Sequence, residues 1–371
     1  MEKIFHTPEG VRDIYNYECR QKRSLQNKLR GVFSRYGYED IETPTFEFFE
    51  VFSKEVGTIP SRDLYKFFDR EGNTLVLRPD FTPSVARACA TYFLPEQEVT
   101  SLCYTGNTFI NNSSLRGHMK ESTQMGVERV GDESAEADAE ILAMTVECLM
   151  EAGLKEFQVS IGEVDYFKSL LETSGIDQEA QTHLRELISE KNYFGVEDFV
   201  NGQNLDEELK KALQEIPHLF GNLEVLEKAK ELTTNKNALK AVARLEEIYE
   251  IIKAYGYEKY ISFDFGMLSK YEYYTGIIFQ AYTYGTGEPL IKGGRYDELM
   301  KHFGKPAASI GFAIVVDQLL LALNRQKIEI PVEEEVLVLT YKSNDRLEAI
   351  EKAQKLRKQG KRVALRLEKE E

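Results

Sequence analysis

The chain has 371 residues, 42% hydrophobic and 11% aromatic, enough to bury the core of one large domain or of a large domain with a small appendix. A net charge of −15 argues against a surface dominated by sequence-independent phosphate contacts, which need concentrated Lys and Arg, while leaving room for a local basic patch. Cys19, Cys89, Cys103 and Cys148 are scattered, with no CxxC and no Cys/His cluster, as expected of reduced, buried thiols. No stretch approaches the roughly 18 consecutive apolar residues of a membrane span, and MEKIFHTPEG lacks the apolar core of a signal peptide. A soluble, cytoplasmic, globular protein is expected.

Residues 17–36 carry a helix pattern, with Leu25, Leu29, Val32, Phe33 and Tyr36 at three- and four-residue spacing and Gly37 as a left-handed stop. A short strand, about Glu39 to Thr43, runs into Pro44. Leu64–Phe68 and Thr74–Leu77 flank Asp69-Arg70-Glu71-Gly72-Asn73, a hairpin signature. Thr82-Pro83 then predicts a helix with Thr82 as N-cap and Pro83 in first position. A second hairpin has arms Val99–Ile110 and Ser122–Val130, followed by a helix from about Ala135 to Ala152 that ends at Gly153, and by a strand over Phe157–Ile161.

Residues 163–256 are charged, helical in pattern and poor in β-branched residues, the character of an inserted helical subdomain. Strand signals return at Ile261–Phe265, Ile277–Tyr284 and Ala307–Val315, leading into an apolar helix at Asp317–Leu323. Lys327–Glu333 reads as a linker, and Val336 to Leu367 as strand–helix–strand. Strands that come in hairpins with helices alongside favour an α+β fold with a largely antiparallel sheet. The expected division is a core domain over 1–326, carrying the insertion at about 163–256, and a short C-terminal piece over 327–371.

Nucleotide-binding GxxxxGK[ST] and GxGxxG patterns are absent, no Ser or Cys sits in a nucleophile elbow, and five scattered histidines make no metal site, so no cofactor is implied. Four segments stand out instead. Leu77-Arg78-Pro79-Asp80-Phe81-Thr82 ends a strand with a carboxylate and a hydroxyl just before a helix, which as plain structure is an Arg–Asp pair and a cap. In Gln124-Met125-Gly126-Val127-Glu128, period-two alternation puts Gln124, Gly126 and Glu128 on one face, either a solvated strand or the floor under a small polar ligand. Tyr271-Glu272-Tyr273-Tyr274-Thr275-Gly276 offers core aromatics or the wall of an aromatic ligand's site. Lys292-Gly293-Gly294-Arg295-Tyr296-Asp297 is either a tight turn or a place where backbone approaches a ligand closely.

Together the four segments resemble the histidyl-tRNA synthetase family, a class II aminoacyl-tRNA synthetase fold, from Thr7-Pro8-Glu9-Gly10-Val11-Arg12-Asp13 to Leu323. The family's histidine-specific hallmarks stand here as Tyr273–Gly276 and Gly293–Asp297. The resemblance implies that Asp80, Thr82, Gln124, Glu128, Tyr273 and Tyr274 hold histidine, with Asp80 in place of the family's usual glutamate. It also implies three departures. The positions of the family's adenylation arginines fall on Ile110, Ser269 (with Lys270 beside it) and Gln318, and the glutamate two residues beyond the first falls on Asn112. Phosphate activation is electrostatic, each lost group commonly costing about 10²–10³ in rate, and a lysine does not reproduce a guanidinium fork. The resemblance therefore implies a chain with no catalytic residues, and a ligand carboxylate without its arginine at Ser269.

Synthetases of this family carry a full anticodon-binding domain, where here a basic strand–helix–strand piece follows the linker. A paralogue of this kind is similar to the regulatory subunit of ATP phosphoribosyltransferase. That likeness implies a short-form catalytic subunit as partner, histidine as feedback effector and a homodimer through the core around Gly37–Pro44, with tRNA binding not expected. A tRNA-binding or sensing pseudo-synthetase, or a divergent active histidyl-tRNA synthetase, are the competing functions.

Overall fold

The computed structural model describes residues 5–53, 59–93, 98–112, 119–172, 174–268, 274–332 and 335–368. Its strands, in chain order, are β1 (Glu39–Asp40), β2 (Phe46–Phe48), β3 (Lys66–Phe68), β4 (Thr74–Leu77), β5 (Thr100–Phe109), β6 (Glu121–Val130), β7 (Gln158–Glu163), β8 (Phe220–Gly221), β9 (Ile261–Asp264), β10 (Ile277–Tyr282), β11 (Ile291–Arg295), β12 (Ser309–Val315), β13 (Leu337–Tyr341) and β14 (Val363–Leu367). Nine form one sheet in the order β1-β5-β6-β12-β11-β10-β7-β9-β8. Only β1·β5 and β7·β9 pair in parallel there; the rest is antiparallel. The expected α+β fold with a mostly antiparallel sheet is what the chain adopts.

Helix α1 (Asn16–Arg35) buries Leu25, Leu29, Val32 and Phe33, and Gly37 follows at φ 78°, a conformation open to glycine at no steric cost. α2 (Thr82–Ala88) is short. α3 (Ala135–Ala152) is capped by Ser134, whose hydroxyl accepts from the Ala137 N–H, and its interior is largely Ala, Ile, Leu, Met and Val, as befits a helix buried all round. Between β7 and β9 lie α4 (Val164–Glu172), α5 (Gln178–Ser189), α6 (Tyr193–Asn201), α7 (Glu207–Glu215), α8 (Glu224–Glu231) and α9 (Lys236–Tyr255), together with β8, which pairs with β9 at the sheet edge. Asp177, Asn192, Asp206 and Asn235 cap four of these helices with side-chain oxygens, so each start is written locally. α10 (Leu299–His302) and α11 (Val316–Arg325) flank β12, and α12 (Arg346–Lys358) connects the parallel pair β13·β14.

Contacts divide the chain into two compact units, residues 1–13 with 25–329, and residues 14–24 with 330–371. The first holds the nine-stranded sheet, the small antiparallel sheet β2-β4-β3 and α2 to α11; the second holds β13, β14 and α12. No helix among the described residues is long and apolar enough to cross a membrane.

One local expectation is corrected, and one of two alternatives is excluded. Thr82 is the first residue of α2 and not its N-cap; Phe81 precedes the helix in helical conformation with no side-chain cap, while the Thr82 hydroxyl is engaged elsewhere. Gly293 and Gly294 form no turn but the interior of β11, hydrogen-bonded on both sides. Glycine is a poor strand former, and here neighbouring strands override that preference.

Candidate functional site

The centre of the large sheet is built from three antiparallel strands, β6, β12 and β11, whose front-facing residues are mostly small. The register places Glu128 opposite Gly311 and Gly311 opposite Gly294; one pair of residues along, Gly126 faces Ala313 and Ala313 faces Lys292. Each glycine is required by what stands over it. A Cβ at Gly311 would run into the Glu128 carboxyl and the Val127 carbonyl, and one at Gly126 into the Tyr104 hydroxyl and the Phe312 carbonyl. At Gly294 it would lie 2.8 Å from Cε1 of Tyr274. The result is a flat floor with side chains only at its margins.

Glu128, 1% exposed, stands at one end of this floor. Its Oε1 accepts from the Thr82 hydroxyl at 2.7 Å and its Oε2 from the Tyr296 hydroxyl. Burial pushes the carboxyl up to about 8, against the opposing pull of these two donors, and Asp80 nearby adds to the rise. Thr82 is aimed by the turn before it: the Asp80 carboxylate accepts from the Thr82 N–H at 3.3 Å. The turn itself is fixed by Arg78, which donates to the carbonyls of Thr43 (2.8 Å) and Asn107 (2.9 Å) and lies 4.1 Å over the ring of Phe81. Phe81 in turn stacks on Tyr104 at 4.3 Å between centroids, and burial pushes the Tyr104 phenol well above its ordinary value. So Arg78 serves the backbone of this corner, a structural task in a segment read as functional.

A cavity of about 330 Å³ opens over the floor. It is lined by Asp80, Thr82, Gln124, Glu128 and Tyr274, so five of the six residues singled out in the sequence come together; Tyr273 lies outside the described residues. Glu128 being buried excludes the plain reading of that strand as a solvated face. Gln124 lines the cavity with its side-chain oxygen buried and, among the described residues, without a hydrogen-bond partner, the condition of a group waiting for a donor. Ile110, Asn112 and Gln318 line the same cavity; Ser269 and Lys270 lie outside the described residues.

The sequence reading missed four contributors. Tyr296, 3% exposed, holds Glu128 and is itself pushed well above its ordinary value by burial; its place in Gly293–Asp297, two residues beyond Gly294, was the signal available. Lys292 and Glu288 also line the cavity. Asp317 does too, with its carboxylate accepting from the Thr123 N–H at 2.7 Å.

Thr275 and Arg295, each next in sequence to a wall or floor residue, line a second and more polar cavity of about 540 Å³ against α4 and α9. Here Asp138, 1% exposed, is gripped by Arg295 (Nε, 3.0 Å) and Arg244 (Nη2, 2.7 Å). Glu163, 2% exposed, accepts from the Tyr166 N–H at 3.0 Å and is pushed up to about 8, mainly by burial. Lys168 reaches from α4 to donate to the Tyr274 carbonyl at 2.9 Å, tying the cavity wall to the helical insertion.

The histidyl-tRNA synthetase family profile matches residues 10–319 of this chain. A protein of Acetivibrio thermocellus named ATP phosphoribosyltransferase regulatory subunit is 39% identical over 96% of this chain and 85% of its own length. A protein of Thermoanaerobacter pseudethanolicus with the same name is 40% identical over 98% and 94%. The crystal structure of an ATP phosphoribosyltransferase regulatory subunit/histidyl-tRNA synthetase from Bacillus halodurans matches at a TM-score of 0.90 and 34% identity, covering 98% of this chain and 93% of that one. A histidyl-tRNA synthetase from Nostoc sp. PCC 7120, at 21% identity, shares the fold, with a TM-score of 0.82 over 99% of this chain and 87% of that one. By profile, sequence and fold, this chain belongs to the ATP phosphoribosyltransferase regulatory subunits, a family built on the class II frame of histidyl-tRNA synthetase.

Proposed function

We propose that this chain binds histidine in the front cavity, activates a short-form ATP phosphoribosyltransferase catalytic subunit by forming a complex with it, and transmits feedback inhibition when histidine is bound. The observation that carries the reading is the convergence of Asp80, Thr82, Gln124, Glu128 and Tyr274 on one cavity that, among its described lining residues, contains no arginine. Carboxyl groups at Asp80 and Glu128 suit the ligand's ammonium and an imidazole N–H, and the Tyr274 ring walls the imidazole. Tyr273 is proposed as a second wall by resemblance. With Ile110, Ser269 and Gln318 at the positions of the adenylation arginines, the guanidinium forks that would stabilise charge developing at a phosphate are gone and a lysine does not reproduce them, so the chain performs no chemistry of its own.

Regulation requires that histidine favour one state of the complex, since equal affinity for both would shift nothing. The complex is read as cytoplasmic and assembled on a homodimer formed through the class II core, around Gly37–Pro44; a monomer by light scattering would count against that part. The test is calorimetric titration of the chain with histidine, alone and mixed with the catalytic subunit, alongside an assay of phosphoribosyl transfer. Saturable binding weakened by Glu128→Ala or Tyr274→Ala, with transfer activity dependent on the chain and lost on histidine addition, supports the proposal. Absence of binding in both settings removes it, and histidine-dependent pyrophosphate exchange with ATP would return the chain to the synthetases.

A further inference from the structure

The front cavity is unbalanced in charge. Its described lining residues include four carboxyl groups, Asp80, Glu128, Glu288 and Asp317, and a single cation, Lys292. An amino acid brings an ammonium that such a site welcomes and a carboxylate that it repels. If the carboxylate is to stay, it must lie beside the one positive group that the described lining supplies.

The register fixes where that is. Glu128 and Lys292 lie on the same face of the sheet, two strands apart and one pair of residues along, with Gly311, Gly126 and Ala313 between them. At the usual strand spacing and rise this separates their Cα atoms by about 12 Å. Nothing larger than a methyl group rises from the floor across that gap, because Gly126, Gly311 and Gly294 cannot carry a side chain without collision. The buried carboxyl therefore stands at one end of a low strip and the exposed lysine at the other, with the Tyr104 hydroxyl and the Tyr274 ring reaching in over Gly126 and Gly294. A zwitterion whose cationic and anionic groups are a few bonds apart fits that strip in one direction only, ammonium and ring toward Glu128 and carboxylate toward Lys292.

We propose that Lys292 is the specificity residue that holds the carboxylate of the amino acid bound over this floor, taking up from β11 the charge that no arginine supplies. The proposal rests on the reading of the cavity as a histidine site and adds to it what makes the site select an amino acid over its amine. A flexible, solvated ammonium gives a weaker grip than a bidentate guanidinium, so the site is built for reversible sensing of its ligand.

The test compares histidine with histamine, which keeps the imidazole and the amine and lacks the carboxylate, by calorimetric titration of the full chain. The wild type is expected to prefer histidine by roughly tenfold, as for one charge-assisted contact. Lys292→Ala should weaken histidine binding by about that factor and leave histamine unchanged, so that the preference disappears; Lys292→Arg should restore it. Lys292 is exposed on its strand, and Lys270→Ala serves as the control for a second cation. Histidine binding that ignores Lys292→Ala, an equal loss for both ligands, or a preference abolished by Lys270→Ala alone would each overturn the assignment while leaving the histidine site standing. Binding of neither ligand by the wild type would overturn the histidine reading and this assignment with it.

Discussion

Replacing Glu128 by glutamine should change how the stability of this protein depends on pH. The carboxyl sits at about 8 in the fold against an ordinary value of 4.5. Between those limits the native state holds a proton that the unfolded chain has released. Its contribution to stability is complete below about 4.5 and is lost as pH rises through 8, at up to roughly 1.4 kcal/mol per pH unit. Glu163, also at about 8 and also buried, adds a second contribution of the same sign. Glu128→Gln keeps the shape of the side chain and an acceptor for Thr82 while removing one of the two titrations. Urea unfolding from about pH 5 to about pH 8 at constant ionic strength should therefore show a shallower slope, with the two proteins' stabilities diverging by about 3 kcal/mol across the range. Glu163→Gln should flatten the slope in the same way but leave ligand affinity in the front cavity untouched. Parallel curves for wild type and Glu128→Gln would refute the argument that burial, rather than the Thr82 and Tyr296 hydroxyls, governs this carboxyl.

Gly311→Ala should cost about 1–3 kcal/mol by overpacking, because its methyl group enters the Glu128 carboxyl, and an unchanged thermal midpoint would contradict the register across β6 and β12. Asp138→Asn leaves Arg295 and Arg244 sharing an uncharged partner in a buried position and should lose about 3–5 kcal/mol, measured by chemical denaturation. Cys19 is half-buried whereas Cys89, Cys103 and Cys148 are buried, with Cys89 and Cys103 pushed up to about 12. A thiol reagent at neutral pH should modify Cys19 rapidly and the others only after unfolding, and rapid loss of Cys89 would contradict the packing under α2.

The helix at Ala135–Ala152 with its glycine stop was legible from sequence, and the insertion was legible as helical in character though not helix by helix, because such signals lie within a few residues of each other. So was the face shared by Gln124, Gly126 and Glu128, since alternation is a property of the strand alone. What escaped depends on partners distant in the chain. β11 carries two glycines and becomes a strand through β10 and β12; Thr82 leaves the cap position because Glu128, 46 residues on, takes its hydroxyl. Nothing local to Asp138, Arg244 or Arg295 marks them as partners, yet they form one ion-pair cluster around the buried Asp138, bridging α3, α9 and β11. The identity of the ligand was reached by resemblance to the synthetases, not by chemistry visible in any one residue.

The bare floor separates scaffold from vocabulary. Its strands are fully hydrogen-bonded to one another, so the floor offers a ligand shape but almost no words to recognise it by. Those come from the margins, where Lys292, Gln318 and Ile110 can be exchanged without disturbing the ladder beneath. A molecule made this way can change its trade by editing its edges, and the pieces that keep it folded need never be consulted.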